Sequence, residues 1–223
     1  MKKLLASAFA ALGIANGAQA APPPQDVDPR TMRFSMPTVA ADDIQFVMPT
    51  RETFEIAPQF HEDEWSQIEF FPASRLAEIK ARLTEYKAFE KNHRTPNGWT
   101  DIYARRITRS PVIPGSNAVA ELANLVHASI LPAPILTTTS RALGQVKSGY
   151  TLQLPGEIML YGMASDLGLQ SLGALVERDG NDQSLAATFE VLNKNYGLVL
   201  ADWRSQIVFV NTNSQGAIDV WRP

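Results

Sequence analysis

The sequence predicts an α+β protein of two small units, and three stretches carry that reading. Gln183 to Val210 reads as a helix, a glycine stop and two strands joined by a tight turn. Ser140 to Leu154 repeats the plan in shorter form: helix, glycine, strand. Trp65 to Lys91 couples a half-buried strand to an amphipathic helix. Two helix-then-strand pieces sharing one small mixed or antiparallel sheet make the C-terminal unit a split α+β motif. In the strongest of the three stretches, Leu185, Phe189 and Leu192 recur at i, i+4 and i+7 on one helical face. Ser184 is placed to cap that helix, and Gly197 supplies the left-handed residue that ends it. Leu198 to Ala201 then reads as a strand, Asp202 to Ser205 as a turn and Gln206 to Val210 as the return strand.

Taken from its start, the chain opens on Lys2 and Lys3, an apolar run from Leu4 to Ala15, and Ala18-Gln19-Ala20. A basic, an apolar and a small-residue region in that order are the pattern of a secretory signal peptide over residues 1–20. The expected address is the periplasm of a bacterium. No run reaches the roughly 18 apolar residues of a helical membrane span, so no direct span is expected. The 223 residues contain no cysteine, which excludes disulfides, thiol catalysis, cysteine-bound zinc and a lipidated cysteine. An outer-membrane location would then require a bound partner. An apolar share of 45% and a charged share of 19% are those of a globular chain. The formal net charge of −3 becomes −5 without Lys2 and Lys3 (18 basic against 23 acidic residues), which gives no pull toward nucleic acid or anionic lipid.

Residues 21–60 read as a proline-rich leader, with Pro22, Pro23, Pro24, Pro29 and Pro37 stiffening the backbone. An extended tether and a disordered terminus both fit that composition. Inside it, Ile44 to Ile56 carries two strand-like patches, IQFVM and TFEI, broken at Pro49. Residues 61–109 form the expected N-terminal unit. Trp65 to Phe71 alternates in part, Pro72 ends it, and Ala73 to Lys91 is helical with Leu76, Ile79, Leu83 and Tyr86 on one stripe. Asn97-Gly98 marks a turn before a strand from Trp99 to Ile107. The run from Arg109 to Ser116, RSPVIPGS, reads as the linker between units.

From residue 117 onward the second unit begins with a helix over Asn117 to Ser129, Ser116 capping and Val119, Leu122, Leu125 and Val126 inward; Pro132 and Pro134 end it. Ser140 to Ser148 is predicted helical, with Leu143 and Val146 facing the core. Tyr150 to Leu154 and Ile158 to Tyr161 read as strands. Leu172 to Asp179 fits a strand or a helix, the strand preferred, turning at Asp179-Gly180. Gly216 to Trp221 supplies a last strand.

Signals for catalysis are weak. His61 to Glu64, HEDE, lacks the second histidine four residues on that a helical zinc site needs, and Trp65 stands there instead. Neither that stretch nor His93 and His127 makes a metal site, and no cofactor motif occurs: there is no G-x-S-x-G, phosphate-loop or dinucleotide fingerprint. Asp179 to Asp182 reads as a turn rather than a calcium loop. Arg105 and Arg106 are split to opposite faces by strand alternation, which argues against one anion site. The expectation is a chain without enzymatic activity. The alternatives are an inhibitor or immunity-type protein that binds a toxin, and a cell-wall hydrolase using Glu62 or Glu64.

The order helix, Gly-Tyr, strand, strand, turn, Ser-Leu, helix, glycine, hairpin resembles the secretin N-terminal (STN-like) domain, as in PilL/TcpQ-type accessory proteins of type IVb pilus and conjugation systems. The matching pieces are Ser140 to Leu154, Ala174 to Gln183, Ser184 to Gly197 and Leu198 to Val210. Two departures are a long Pro155 to Ser171 segment and the added strand at Gly216 to Trp221. The resemblance implies an STN-like module over residues 117–223 and a non-enzymatic role in a pilus, conjugation or secretion apparatus. Its partner would be an envelope protein such as a secretin or another outer-membrane subunit. Candidate contact residues are Trp203 and Arg204 on the hairpin turn and Ile218, Val220 and Trp221 on the terminal edge strand. Each tryptophan also fits a place in the chain's own core.

Overall fold

The computed structural model describes residues 33–108, 110–155, 157–176 and 182–223. The signal-peptide pattern, the first part of the leader and the turn at Asp179-Gly180 lie outside the described residues. The described chain starts with β1 (Thr38–Ala40), β2 (Phe46–Val47), α1 (Arg51–Ile56) and β3 (Gln59–His61), then a 3-10 turn at Glu62–Glu64. Next come β4 (Ile68–Pro72), a 3-10 turn at Ala73–Arg75, α2 (Leu76–His93), and the short β5 (Arg94–Thr95), β6 (Gly98–Trp99) and β7 (Tyr103–Arg105). The middle of the chain supplies β8 (Ile113–Pro114), α3 (Ala118–Leu125), β9 (Ser129–Leu131), β10 (Ile135–Thr137), β11 (Ala142–Val146), β12 (Gly149–Leu154) and β13 (Ile158–Ser165). It ends with β14 (Gly168–Leu169), β15 (Gly173–Val176), α4 (Asp182–Tyr196), β16 (Leu198–Asp202), β17 (Ile207–Thr212) and β18 (Ile218–Trp221). The class is α+β.

The main sheet runs β18-β17-β16-β4-β15-β13-β12-β9, and every neighbouring pair in it is antiparallel. Both of its faces are covered, which explains why Leu198 to Ala201 of β16 reads as a continuous apolar run instead of alternating with polar residues. Phe70, Leu198 and Leu200 point to one face, where Leu122 of α3 and Leu185, Phe189 and Leu192 of α4 close the larger core. Phe71, Val199 and Ala201 point to the other, against Ile79, Leu83 and Tyr86 of α2. Farther along that second face, Tyr161 packs with Phe60, Trp65, Leu136 and Val146 beneath a small sheet ordered β2-β11-β10-β3. Fully burying each of these large side chains contributes about 1.5–3 kcal/mol, and together they hold three layers in register.

Several local signals act as the sequence predicts. Gly197 sits at φ 62 just after α4 and donates its N–H to the Asn193 carbonyl at 2.9 Å. The hairpin β16–β17 pairs Leu200 with Phe209 and Asp202 with Ile207. The stripe of α2 buries Ile79, Leu83 and Tyr86, and Arg105 is buried while Arg106 is exposed. Ser184, expected as the cap, instead lies inside the first turn of α4, where its carbonyl accepts from Thr188 Oγ1 at 2.8 Å.

Other expectations are corrected. TFEI is the body of α1, not a strand: Thr50 Oγ1 accepts from the Thr53 N–H at 3.1 Å and starts a helical turn that ends at Ile56. Ser140 to Ser148 is not helical. Its residues 142–146 form β11, antiparallel to β10, and Ser148 at φ 55 turns the chain into β12. The helix expected over Asn117 to Ser129 ends at Leu125, and Ser129 to Leu131 is edge strand β9. The strand expected from Trp99 to Ile107 is broken into β6 and β7.

Over its described residues, 110–116, the linker expected at Arg109 to Ser116 is packed on the core. Val112 and Ile113 are buried, and β8 pairs with β14. With β4 hydrogen-bonded between β15 and β16, residues 33–223 form one compact unit instead of two.

Candidate functional site

The row of side chains on the second face that crosses β13, β15, β4, β16 and β17 is Tyr161, Gly173, Glu69, Ala201 and Val208. Gly173 is there because of space. A Cβ on it would lie 2.8 Å from Tyr161 Cζ, so only glycine lets the tyrosine ring cross the neighbouring strand. That position aims the phenol at the loop before β4, where it accepts from the Ser66 N–H at 2.8 Å and donates to the Glu64 carbonyl at 3.0 Å. Burial pushes the phenol well above its ordinary range, so it stays a neutral donor.

Arg105 of β7 enters this polar core from the side. Its guanidinium donates to Thr38 Oγ1 and to the Ser66 carbonyl, both at 2.8 Å, and stands 4.8 Å from the centre of the Trp203 ring. Burial holds it down to about 10, while the Glu69 and Asp42 carboxylates pull the other way; it remains charged at neutral pH. Arg105 thus fixes β1 to the start of β4. Gln67 adds a second tie, its Nε2 donating to the Thr38 carbonyl at 2.9 Å and the Asp63 carbonyl at 2.7 Å. These bonds are structural, and they place the segment 39–46 that follows.

That segment walls a hollow of about 480 Å³ on the surface, floored by Ile44, Leu136 and Leu143 and edged by Trp65 and Ile102. Among the described residues its charged lining groups are the acids Asp42, Asp43, Glu62 and Asp63, the last with its Oδ2 3.5 Å from His61 Nδ1. Trp65 Nε1 donates to Asp42 Oδ2 at 2.9 Å and fixes one acid in the wall. His61 Nδ1 accepts from the Asp63 N–H at 3.2 Å and orients the turn that carries Glu62 and Asp63. A second hollow of about 310 Å³ meets the first at Leu143 and lies between Met48, Phe54 and Gly144. At Gly144 a Cβ would sit 3.0 Å from both Phe46 Cβ and the Val47 carbonyl oxygen, so glycine lets β2 approach β11.

The flank between and beside the hollows is unusually apolar for a surface. Phe46 is 37% exposed, Val47 42%, Met48 91%, Phe54 46% and Ile56 61%. No residue of α1 is buried. A helix turned apolar-side-out has no intramolecular burial to hold it.

The contact residues expected from the sequence are dispersed. Trp203 is fully buried against Phe71 and Arg105, so it is a core residue and not an anchor for a partner. Arg204 Nη2 binds Glu64 Oε1 at 2.6 Å. On edge strand β18, Ile218 packs against the larger core, Trp221 lies beneath Lys80 Nζ at 5.3 Å, and Val220 is 47% exposed. Of the two acids considered for hydrolysis, Glu62 lies on the rim of the first hollow and Glu64 is engaged by Arg204. Phe46, Met48, Phe54 and Asp43 carry no site motif; the one local signal for them is the large apolar content of IQFVM in a segment otherwise read as a proline-rich leader. Among the described residues no group of acids and histidines is arranged to hold a metal ion, and no helix is long and apolar enough to cross a membrane. No family model, curated protein or solved structure matches the chain.

Proposed function

We propose that this chain is a non-enzymatic assembly component of a bacterial envelope apparatus, of the pilus, conjugation or secretion kind, and that it acts by binding an envelope protein partner. The observation that carries the reading is the β2–α1 flank, where Phe46, Val47, Met48, Phe54 and Ile56 stand exposed on an edge strand and a helix with no buried face. Exposed apolar groups of this kind mark interaction surfaces. The helix, glycine and hairpin at 182–212 support the STN-like resemblance, whereas the hairpin at 142–154 removes one of its four pieces; the flank therefore carries more weight than the resemblance. The signal-peptide pattern supports a periplasmic address.

The test is a photo-crosslinking amino acid at position 48 in the native host, followed by detergent extraction of envelopes. The expected product is an adduct with an envelope protein in a large complex, and none from a crosslinker at the exposed position 190. Absence of any adduct at position 48 would sink the reading.

A further inference from the structure

We infer that the outer strand β18 pairs with β18 of a second copy of this chain, antiparallel and about a two-fold axis at Val220, so that two main sheets join into one. This edge is a different surface from the flank, and nothing in it depends on the partner proposed there. At the β17–β18 turn the Asn213 N–H donates to the Ala217 carbonyl at 2.9 Å, which makes those two a hydrogen-bonded pair. Bonded and non-bonded pairs alternate along an antiparallel ladder, so Thr212 and Ile218 form a non-bonded pair and Asn211 and Asp219 a bonded one. Thr212 agrees: its N–H turns away from β18 and donates to Asn193 Oδ1 at 3.4 Å. The register shift lies between Phe209 and Asn211 of β17, so β18 itself keeps its alternation. The N–H and carbonyl groups of Ile218 and Val220 therefore point outward, and β18 is the last strand of its sheet.

Charge selects the occupant and the register. A second copy must set outward-facing residues opposite outward-facing residues, which leaves even-numbered positions facing even-numbered ones. Centring the pair on Asp219 would oppose two carboxylates, and centring it on Trp221 would bring two Lys80 ammonium groups together. Centring it on Val220 sets Val220 against its own copy, Ile218 opposite Arg222, and Asp219 opposite Trp221 of the second copy. Asp219 and Trp221 share the face that packs against α2, where Lys80 Nζ lies 5.3 Å from the centre of the Trp221 ring. Each Asp219 thus meets Lys80 of the other copy, twice by symmetry. Among the described residues no ion pair involves either group. On the other face Val220, 47% exposed opposite Phe209, is covered by its copy.

The chain has no cysteine, so single introduced cysteines report the register directly. In the full chain, Val220→Cys is expected to give a disulfide-linked dimer under mild oxidation with diamide, because facing residues of a hydrogen-bonded pair lie about 5.5 Å apart at Cα, within reach of a disulfide. Arg222→Cys is expected to give at least about ten-fold less, since its own copy lies four residues along the strand, about 13 Å away. Sedimentation equilibrium then reads the charges. Lys80→Asp alone and Asp219→Lys alone are each expected to weaken the dimer by about ten-fold or more, because both symmetric contacts turn from attractive to repulsive. The two variants mixed one to one should associate as tightly as the unsubstituted chain, since every contact across that heterodimer again joins opposite charges. A chain that stays monomeric through the micromolar range, equal crosslinking at 220 and 222, or no recovery in the mixture overturns the inference. None of these results bears on position 48, whose crosslink tests the flank alone.

Discussion

The C-terminal hairpin and the β2–α1 flank both carry large apolar side chains next to turns, and they dispose of them in opposite ways. In the hairpin, Val199, Ala201, Trp203 and Val208 are fully buried, because β16 lies inside the sheet with α2 closing over it. In the flank, β2 is an outer strand and α1 follows it on the surface, so Phe46, Met48, Phe54 and Ile56 stay in water. Position in the sheet, more than composition, decides which aromatic is core and which is available.

The contrast is broken most sharply at Trp203. Trp203→Ala is expected to lower unfolding free energy by about 3–5 kcal/mol in urea titrations, the range for deleting a large buried side chain. Trp203→Phe should lose far less, since Trp203 Nε1 has no acceptor among the described residues and its removal leaves no new orphan. Arg105→Leu is expected to fall in a similar range, about 3–5 kcal/mol, because it leaves the buried Glu69 carboxylate without that cation; adding Glu69→Gln should recover part of the loss. Gly173→Ala, which forces the Tyr161 ring off its strand, is expected to lose about 1–3 kcal/mol. Recovery of full stability in any of the three would show that the polar core is not organised around these contacts.

A pH titration sharpens the same point. Burial raises Tyr86 to about 12, with the Glu90 charge adding to it, and holds Tyr150 and Tyr161 well above the ordinary phenol range. Phenols raised in the folded state contribute stability that is complete below pH 10 and is lost as pH climbs through the folded values. Arg105, depressed to about 10, works the opposite way between its folded and unfolded values, so three phenols oppose one guanidinium. Stability should therefore decline above about pH 10, with phenolate absorbance from the buried tyrosines appearing together with unfolding. Phenolate signal from all five tyrosines in the folded protein would contradict the burial. The smallest effect belongs to the flank: Met48→Ser and Phe54→Ser should each change stability by no more than about 0.5 kcal/mol while weakening partner capture.

The sequence was most readable where the signals were local. Gly197, the stripe of Leu185, Phe189 and Leu192, and the polar turn between two apolar runs sit within one short stretch, and that stretch folds as expected. Ser140 to Ser148 misled because Leu143 and Val146, three apart, suit a helical face, while the interior Gly144 and the β-branched run Thr137 to Thr139 pointed toward a hairpin. The break between units was misplaced at 109–116 because proline and glycine punctuate that run whether or not Val112 and Ile113 are buried. Nothing local could have joined Asp42 and Asp43 to Glu62 and Asp63: Arg105, Thr38 and Trp65 bring them together through hydrogen bonds between distant strands.

The central place of β4 has a consequence for how the chain matures. This strand is made early, but both of its neighbours, β15 and β16, belong to the part of the chain after residue 172. Until those arrive, Phe70 and Phe71 and two open strand edges have no cover, and the loop that must close is long. Folding should accordingly be slow and nearly all-or-none, and a fragment ending at residue 116 should show no cooperative thermal transition by circular dichroism. A chain built this way is best kept unfolded until its last strand has been delivered.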